Sequence, residues 1–124
     1  MHKTILKTAA VFLVLAVALG AFGAHGLKSV LTEDLIQVYK TGVDYHFYHA
    51  LGLLGIGVLP GHMPGRLLNW SAFCLGLGII LFSGSLYLMS ITGIKWLGAI
   101  TPLGGVSFIV GWVLLIVAVW KAEK

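Results

Sequence analysis

The sequence predicts an all-α membrane protein: an antiparallel four-transmembrane-helix bundle with a short amphipathic interfacial helix between spans one and two. Three observations carry this. Hydrophobic residues make up 59% of the 124 residues and charged residues 10%, against about 25% charge in a soluble domain. The mean hydropathy is +1.01, and a soluble fold this apolar could not cover its own surface. No charge lies between Lys7 and Lys28, between Arg66 and Lys95, or between Lys95 and Lys121, while a helix crossing a bilayer needs about 20 apolar residues. The runs are continuously apolar rather than alternating, which selects helices over barrel strands.

Residues 1–124 read as a single transmembrane domain, with spans at about 8–27, 43–61, 67–91 and 101–120. The first span, TAAVFLVLAVALGAFGAHGL, also resembles a signal peptide with a small-residue cleavage site. It is read as a retained span because the rest of the chain is equally apolar. Between spans one and two, Thr32 followed by Glu33 and Asp34 suits a helix start. Leu31, Leu35, Val38 and Tyr39 then share one face, which predicts a short helix on the membrane surface. LPGHMPGR, with Pro60, Gly61, Pro64 and Gly65, is a tight turn before span three. In ITPLGG, Thr101 suits the N-cap of the fourth helix and Pro102 its first position. Tyr87 and Trp96 read as anchors at one membrane face, Trp70 and Trp120 at the other, with Trp112 deeper.

Sidedness follows from lysine and arginine placement. An even number of spans puts Lys3, Lys7, Arg66, Lys121 and Lys124 on one side and Lys28, Lys40 and Lys95 on the other. That bias predicts cytoplasmic termini. GAHG, DYHFYH, LYLMS and ITPLGG then all fall near the opposite surface.

Packing in lipid depends on close backbone approach, because lipid is as apolar as the helix faces. Small residues supply it: Ala9, Ala16, Gly20, Gly23 and Ala24 in span one, Ala72 and Gly76 in span three, Gly104 and Gly111 in span four.

Several function classes drop out. The basic residues form no cluster, which argues against nucleic acid as a partner. Cys74 is the single cysteine, so there is no disulfide framework. GAFGAHG follows no strand and has no Walker lysine, so it is not a phosphate loop. FSGSLY lacks the nucleophile-elbow pattern. Ion-coupled export needs a carboxylate within the membrane, and the first span has none.

The remaining chemistry lies in DYHFYHALGLLG. Tyr45, His46 and His49 are spaced to face the bundle together, and His25 ends span one at the same level. With Ser83, Ser85 and Thr101 they define a candidate polar cluster of His25, Tyr45, His49, Ser83, Ser85 and Thr101. His25, His46 and His49 are weak candidates to hold a divalent metal or haem, or to relay protons near neutral pH. Asp44 is placed to orient such a ligand. Interfacial packing and hydrogen bonding is the stronger reading, since Tyr and His collect at membrane interfaces.

The segments GAFGAHGL, YKTGVDYHFYHALGLL, LFSGSLYLMSITG and GAITPLGGVSFIVGW, in this order and spacing, resemble the family of small membrane proteins catalogued as domain of unknown function 423. Its eukaryotic relatives are called transmembrane protein 256. The resemblance covers nearly the whole chain. It implies a bacterial inner-membrane protein of four helices and no established activity, substrate or cofactor. The matching positions are Gly23, His25 and Gly26; Tyr45 and His49; Ser83, Gly84, Ser85 and Tyr87; and Thr101, Pro102, Gly104 and Gly105. Gln is common in that family where this chain has His46, which leaves His25 and His49 as the better ligand pair. The sequence reading is thus a non-enzymatic binding, assembly or accessory component, without catalytic residues. Its partners are the lipid bilayer and another copy or a different membrane protein. A small-solute or proton conduit and a metal- or haem-binding redox component are the alternatives.

Overall fold

A computed structural model describes residues 2–123. Lys124, counted above in the charge bias, lies outside them. The described residues are helical throughout apart from short connections, with no strand among them.

Helix α1 (Lys3–Phe22) runs directly into a π-helical turn, Gly23–Leu27. It begins five residues before the predicted span, because exposed Lys3 and Lys7 are good helix formers that can lie at a polar surface. Helix α2 (Glu33–Gly57) is capped as expected: the Leu35 amide donates to Thr32 Oγ1 at 3.3 Å. The surface helix predicted between spans one and two is not a separate element. Its residues form the first turns of α2, since no proline interrupts the chain there and Gly42 stays helical. The proline-rich turn follows, with Met63 tucked inward.

The third predicted span is one helical rod in three parts. Helix α3 (Gly65–Gly78) passes through a π-helical turn, Ile79–Ser83, into helix α4 (Gly84–Thr92). Gly93 ends it with φ of 72°, the left-handed value that glycine adopts without a Cβ clash. A 3₁₀ turn, Lys95–Ala99, leads into helix α5 (Thr101–Ala122). Thr101 is not the N-cap: Ile100 holds that position, and Thr101 already lies inside the helix with Pro102 in its first turn. Its hydroxyl is thereby free to turn toward α4.

Helix α1 packs on α2, α3 packs on α5, and α2 touches α3, α4 and the π turn between them. The His2 amide donates to the Gly57 carbonyl at 2.8 Å, and the Tyr39 hydroxyl donates to the Leu19 carbonyl. The start of α1 therefore lies beside the end of α2, and the end of α1 beside the start of α2. Ile5, Ala9, Leu53, Ile56, Leu68 and Leu75 belong to the continuous apolar core.

The small residues act where the sequence placed them. A Cβ on Gly104 would lie 2.3 Å from the Phe82 amide nitrogen, so α5 meets the π turn backbone to backbone. A Cβ on Gly111 would meet Leu75 at 2.8 Å, and Ala9 and Ala16 are fully buried. Ala24 is the exception and is exposed.

The exterior is apolar. Val14, Val17, Ile109 and Ile116 are each more than half exposed, as are Trp70, Trp96 and Trp120. Three helical stretches, Lys3–Leu27, Gly65–Thr92 and Lys95–Ala122, are long and apolar enough to cross a membrane. Helix α2 is a fourth long helix, and its first half carries Glu33, Asp34, Lys40 and Asp44.

Candidate functional site

Helix α2 supplies most of the buried polar groups, and it sends them in different directions. His46 and His49 are both buried, yet they meet different neighbours. The His46 Nδ1 lies 2.8 Å from the Tyr87 hydroxyl on α4, and Phe12 of α1 sits edge-on to its ring at 6.0 Å. His49 turns to α5. Its ring stacks on Phe108 with centroids 3.5 Å apart and planes 7° from parallel, and Trp112 lies at 5.7 Å. The expected common face of the two histidines is split between two helix pairs.

The predicted cluster divides accordingly. Tyr45 stacks beside His49 at 6.0 Å and packs on Phe82 at 4.5 Å. Ser85 Oγ and Thr101 Oγ1 are 2.6 Å apart, joining α4 to α5. Ser85 also donates to the Phe82 carbonyl at 2.9 Å. A hydroxyl has one hydrogen, so Thr101 is then the donor of their shared bond. Ser83 is fully buried and donates to the Gly42 carbonyl at 2.7 Å, tying the π turn to α2. His25 stands exposed, with no hydrogen bond or ring contact to the other five. Among the described residues no three of His, Cys, Asp or Glu gather as a metal-ligand set.

One pattern recurs in these bonds. Tyr39 donates to Leu19, Ser71 to Gly111, Ser83 to Gly42 and Ser107 to Cys74, in each case to a carbonyl on another helical segment. Each hydroxyl is thereby committed to joining helices. None of the four donates to an imidazole, so none of them forms the hydroxyl–base pair of a serine nucleophile.

Two atoms stand apart. His49 Nδ1 is 2.8 Å from the Tyr45 carbonyl. A carbonyl can only accept, so the hydrogen is assigned to Nδ1 and the neutral ring keeps a bare lone pair on Nε2. His46 Nε2 is buried, and the Phe12 main chain lies close to the His46 ring.

Sequence reasoning missed the pair formed by His46 and Tyr87, and the burial of Tyr39. The sequence suggests a surface anchor at Tyr87, but its hydroxyl turns inward to His46. The sequence puts Tyr39 on an amphipathic face. It is 4% exposed, and its ring lies 5.2 Å from that of Tyr87. Two glycines signalled this. A Cβ on Gly23 would strike the Tyr39 ring at 2.3 Å, and one on Gly42 would lie 3.0 Å from the Tyr87 ring. Each marks the place of an incoming aromatic ring.

A groove and a cup open on the surface of the described residues. A groove of about 800 Å³ runs between the end of α1 and the start of α2, lined among others by Lys28, Glu33, Asp34, Lys40 and Asp44. A cup of about 450 Å³ lies between α2 and α5, walled by Tyr45, His49, Phe82, Phe108 and Trp112.

Comparison with known proteins finds relatives named as membrane proteins. The chain is 48% identical over 123 residues to the UPF0382 membrane protein YwdK of Bacillus subtilis, covering 96% of this chain and 98% of the relative. UPF0382 membrane proteins of Staphylococcus haemolyticus and Staphylococcus saprophyticus are each 47% identical over 107 residues. Those matches cover 86% of this chain and 87% and 88% of the two relatives. No solved structure matches. Residues 19–105 match the family described as Protein of unknown function (DUF423), which spans α2, α3 and α4 entire, and the chain belongs to that family of membrane proteins.

Proposed function

We propose that the protein is a non-enzymatic integral membrane protein of the bacterial inner membrane, a binding, assembly or accessory component built as four antiparallel spans with cytoplasmic termini. One observation carries this reading. Four buried or half-buried hydroxyls donate to carbonyls of neighbouring helical segments, so the polar interior acts as helix-to-helix fastening. Interhelical hydrogen bonds and small-residue contacts are what lipid leaves available for that purpose. The side-by-side placement of α1 and α2 with opposite ends together supports the antiparallel arrangement. Its partners are the bilayer and another copy or a different membrane protein.

The test is to replace His49 with Phe and to measure thermal stability in detergent and solute flux in liposomes. Under this reading flux is at background in both forms, and any loss follows the melting temperature. Selective loss of a measurable wild-type flux, with the fold intact, overturns it.

A second reading, a proton or small-solute conduit, is favoured by His46, a buried imidazole paired with the Tyr87 hydroxyl. A buried imidazole at membrane depth suits proton transfer. Proton flux abolished by His46→Phe without a change in melting supports that reading; flux unchanged by it removes His46 from the path.

A further inference from the structure

The cup between α2 and α5 has features that point to a ligand. Its walls are aromatic: Tyr45, Phe82, Phe108 and Trp112 surround His49. Its volume of about 450 Å³ falls in the range of about 300–1,000 Å³ usual for small-molecule sites. No charged side chain lines it. Val106 and Ile109 of its lining are exposed by 58% and 64%, so with α2 and α5 embedded in lipid the cup would open toward the bilayer. Gly105 lines it too, and a Cβ there would meet only Phe82, at 3.9 Å, which leaves the space open.

His49 supplies the cup's buried acceptor, while Tyr45 and Trp112 bring a hydroxyl and an indole N–H to its walls. The ring is 7% exposed. Its Nδ1 hydrogen is committed to the Tyr45 carbonyl, and the flat contact with Phe108 fixes the ring plane. Nε2 is therefore a fixed acceptor without a protein donor, on a ring that lines the cup. Such a lone pair selects a ligand with an O–H or N–H to donate. A phospholipid headgroup does not fit, because its charges would lose hydration against walls that carry none. An acyl chain fits the walls but brings no donor.

We propose that this cup binds the hydroxyl-bearing ring of a membrane-soluble quinol, with its apolar tail in the bilayer and one hydroxyl donating to His49 Nε2. The proposal names a ligand for the binding role given above, and it rests on α2 and α5 being embedded in lipid. It favours the reduced ring at His49. A quinone has only carbonyl acceptors at those positions and meets the Nε2 lone pair unfavourably.

The experiment uses the full chain in nanodiscs with Trp112 as the sole tryptophan, made by replacing Trp70, Trp96 and Trp120 with Phe. Trp112 fluorescence is titrated anaerobically with decylubiquinol and separately with decylubiquinone, and decylbenzene is added as a competitor. The expected result is saturable quenching by the quinol, with a half-saturation about fivefold to tenfold lower than for the quinone, the difference one hydrogen bond makes. Decylbenzene competes weakly. Gly105→Leu fills the cup and removes the saturable phase. His49→Phe keeps a ring against Phe108 and erases the preference for the reduced form, which keeps the proposal testable should Gly105→Leu fail to fold. Equal half-saturation for quinol and quinone, linear quenching that reports partition alone, or a preference that survives His49→Phe overturns the proposal. Failure of the membrane reading looks different: the chain then does not enter nanodiscs at all.

Discussion

The ring of Phe108 lies flat on the imidazole of His49, with centroids 3.5 Å apart and planes 7° from parallel. This contact joins α5 to α2 at the level where Tyr45 and Phe82 also meet at 4.5 Å. Both partners are buried, Phe108 to 4% exposure. Removing the ring in Phe108→Ala leaves a cavity between the two helices and is expected to cost about 3–5 kcal/mol. His49→Phe keeps a stacked ring and gives up one hydrogen bond, so its cost stays near about 1 kcal/mol. Thermal melts of the two variants in one detergent check the contrast; equal losses would show that the ring contact contributes nothing of its own.

Two adjacent glycines on α5 should behave in opposite ways. A Cβ at Gly104 would stand 2.3 Å from the Phe82 nitrogen, and main chain cannot step aside as a side chain can. Gly104→Ala should therefore force α5 off the π turn and lower the melting temperature sharply. Overpacking of a tight contact costs about 1–3 kcal/mol or more. At Gly105 the nearest atom would be 3.9 Å away. Gly105→Ala should be neutral, or stabilising by up to about 1 kcal/mol through helix propensity. Melting curves that fail to separate the pair would contradict the close approach of α5 to Phe82.

Tyr87 and His46 form a pair across α4 and α2. Tyr87→Phe removes the hydroxyl and leaves Nδ1 of a buried imidazole without its hydrogen-bond partner. The expected cost is about 1–3 kcal/mol, the range for stranding a buried polar group. The double variant His46→Leu with Tyr87→Phe removes both polar partners and should cost less than the two single losses added together. A double-mutant cycle checks this, and strict additivity of the singles would mean that the bond carries no coupling.

Ser71, Ser83 and Ser107 each donate to a carbonyl on another helical segment, at 2.6–2.7 Å. Single Ser→Ala changes should nonetheless be mild, about 0.6 kcal/mol each and at most about 1.7, as for other hydrogen bonds between membrane helices. The carbonyls retain their own helical partners, and only the second lone pair goes unused. The triple variant should show the summed loss in a denaturation series. A single substitution that unfolds the protein would show that one of these hydroxyls does something other than fasten helices.

How far the sequence reached depended on the kind of signal. Charge spacing located the helices, because lysines and arginines mark where a helix leaves the apolar phase: three intervals between charges became Lys3–Leu27, Gly65–Thr92 and Lys95–Ala122. Small residues located the contacts, as at Gly104 against Phe82 and Gly111 against Leu75. What stayed hidden was direction. Helical spacing puts His46 and His49 on neighbouring positions but cannot say that one turns to α4 and the other to α5. The π turn at Ile79–Ser83 leaves no composition mark either, although it changes which residues after it face inward. His25 sits in such a turn, Gly23–Leu27, and its exposure separates it from a cluster that topology alone had assembled. The surface helix before span two failed for a simpler reason: a polar first half does not end a helix unless a breaker follows.

The account depends most on α2, whose first half carries Glu33, Asp34, Lys40 and Asp44, crossing the membrane with the other three. The direct measurement is accessibility labelling of single cysteines at Ser29 and Gly61, which flank α2, in a chain with Cys74 changed to Ala. The account predicts that an impermeant thiol reagent reaches position 29 from the non-cytoplasmic side only and position 61 from the cytoplasmic side only. Labelling of both positions from the same side would contradict it.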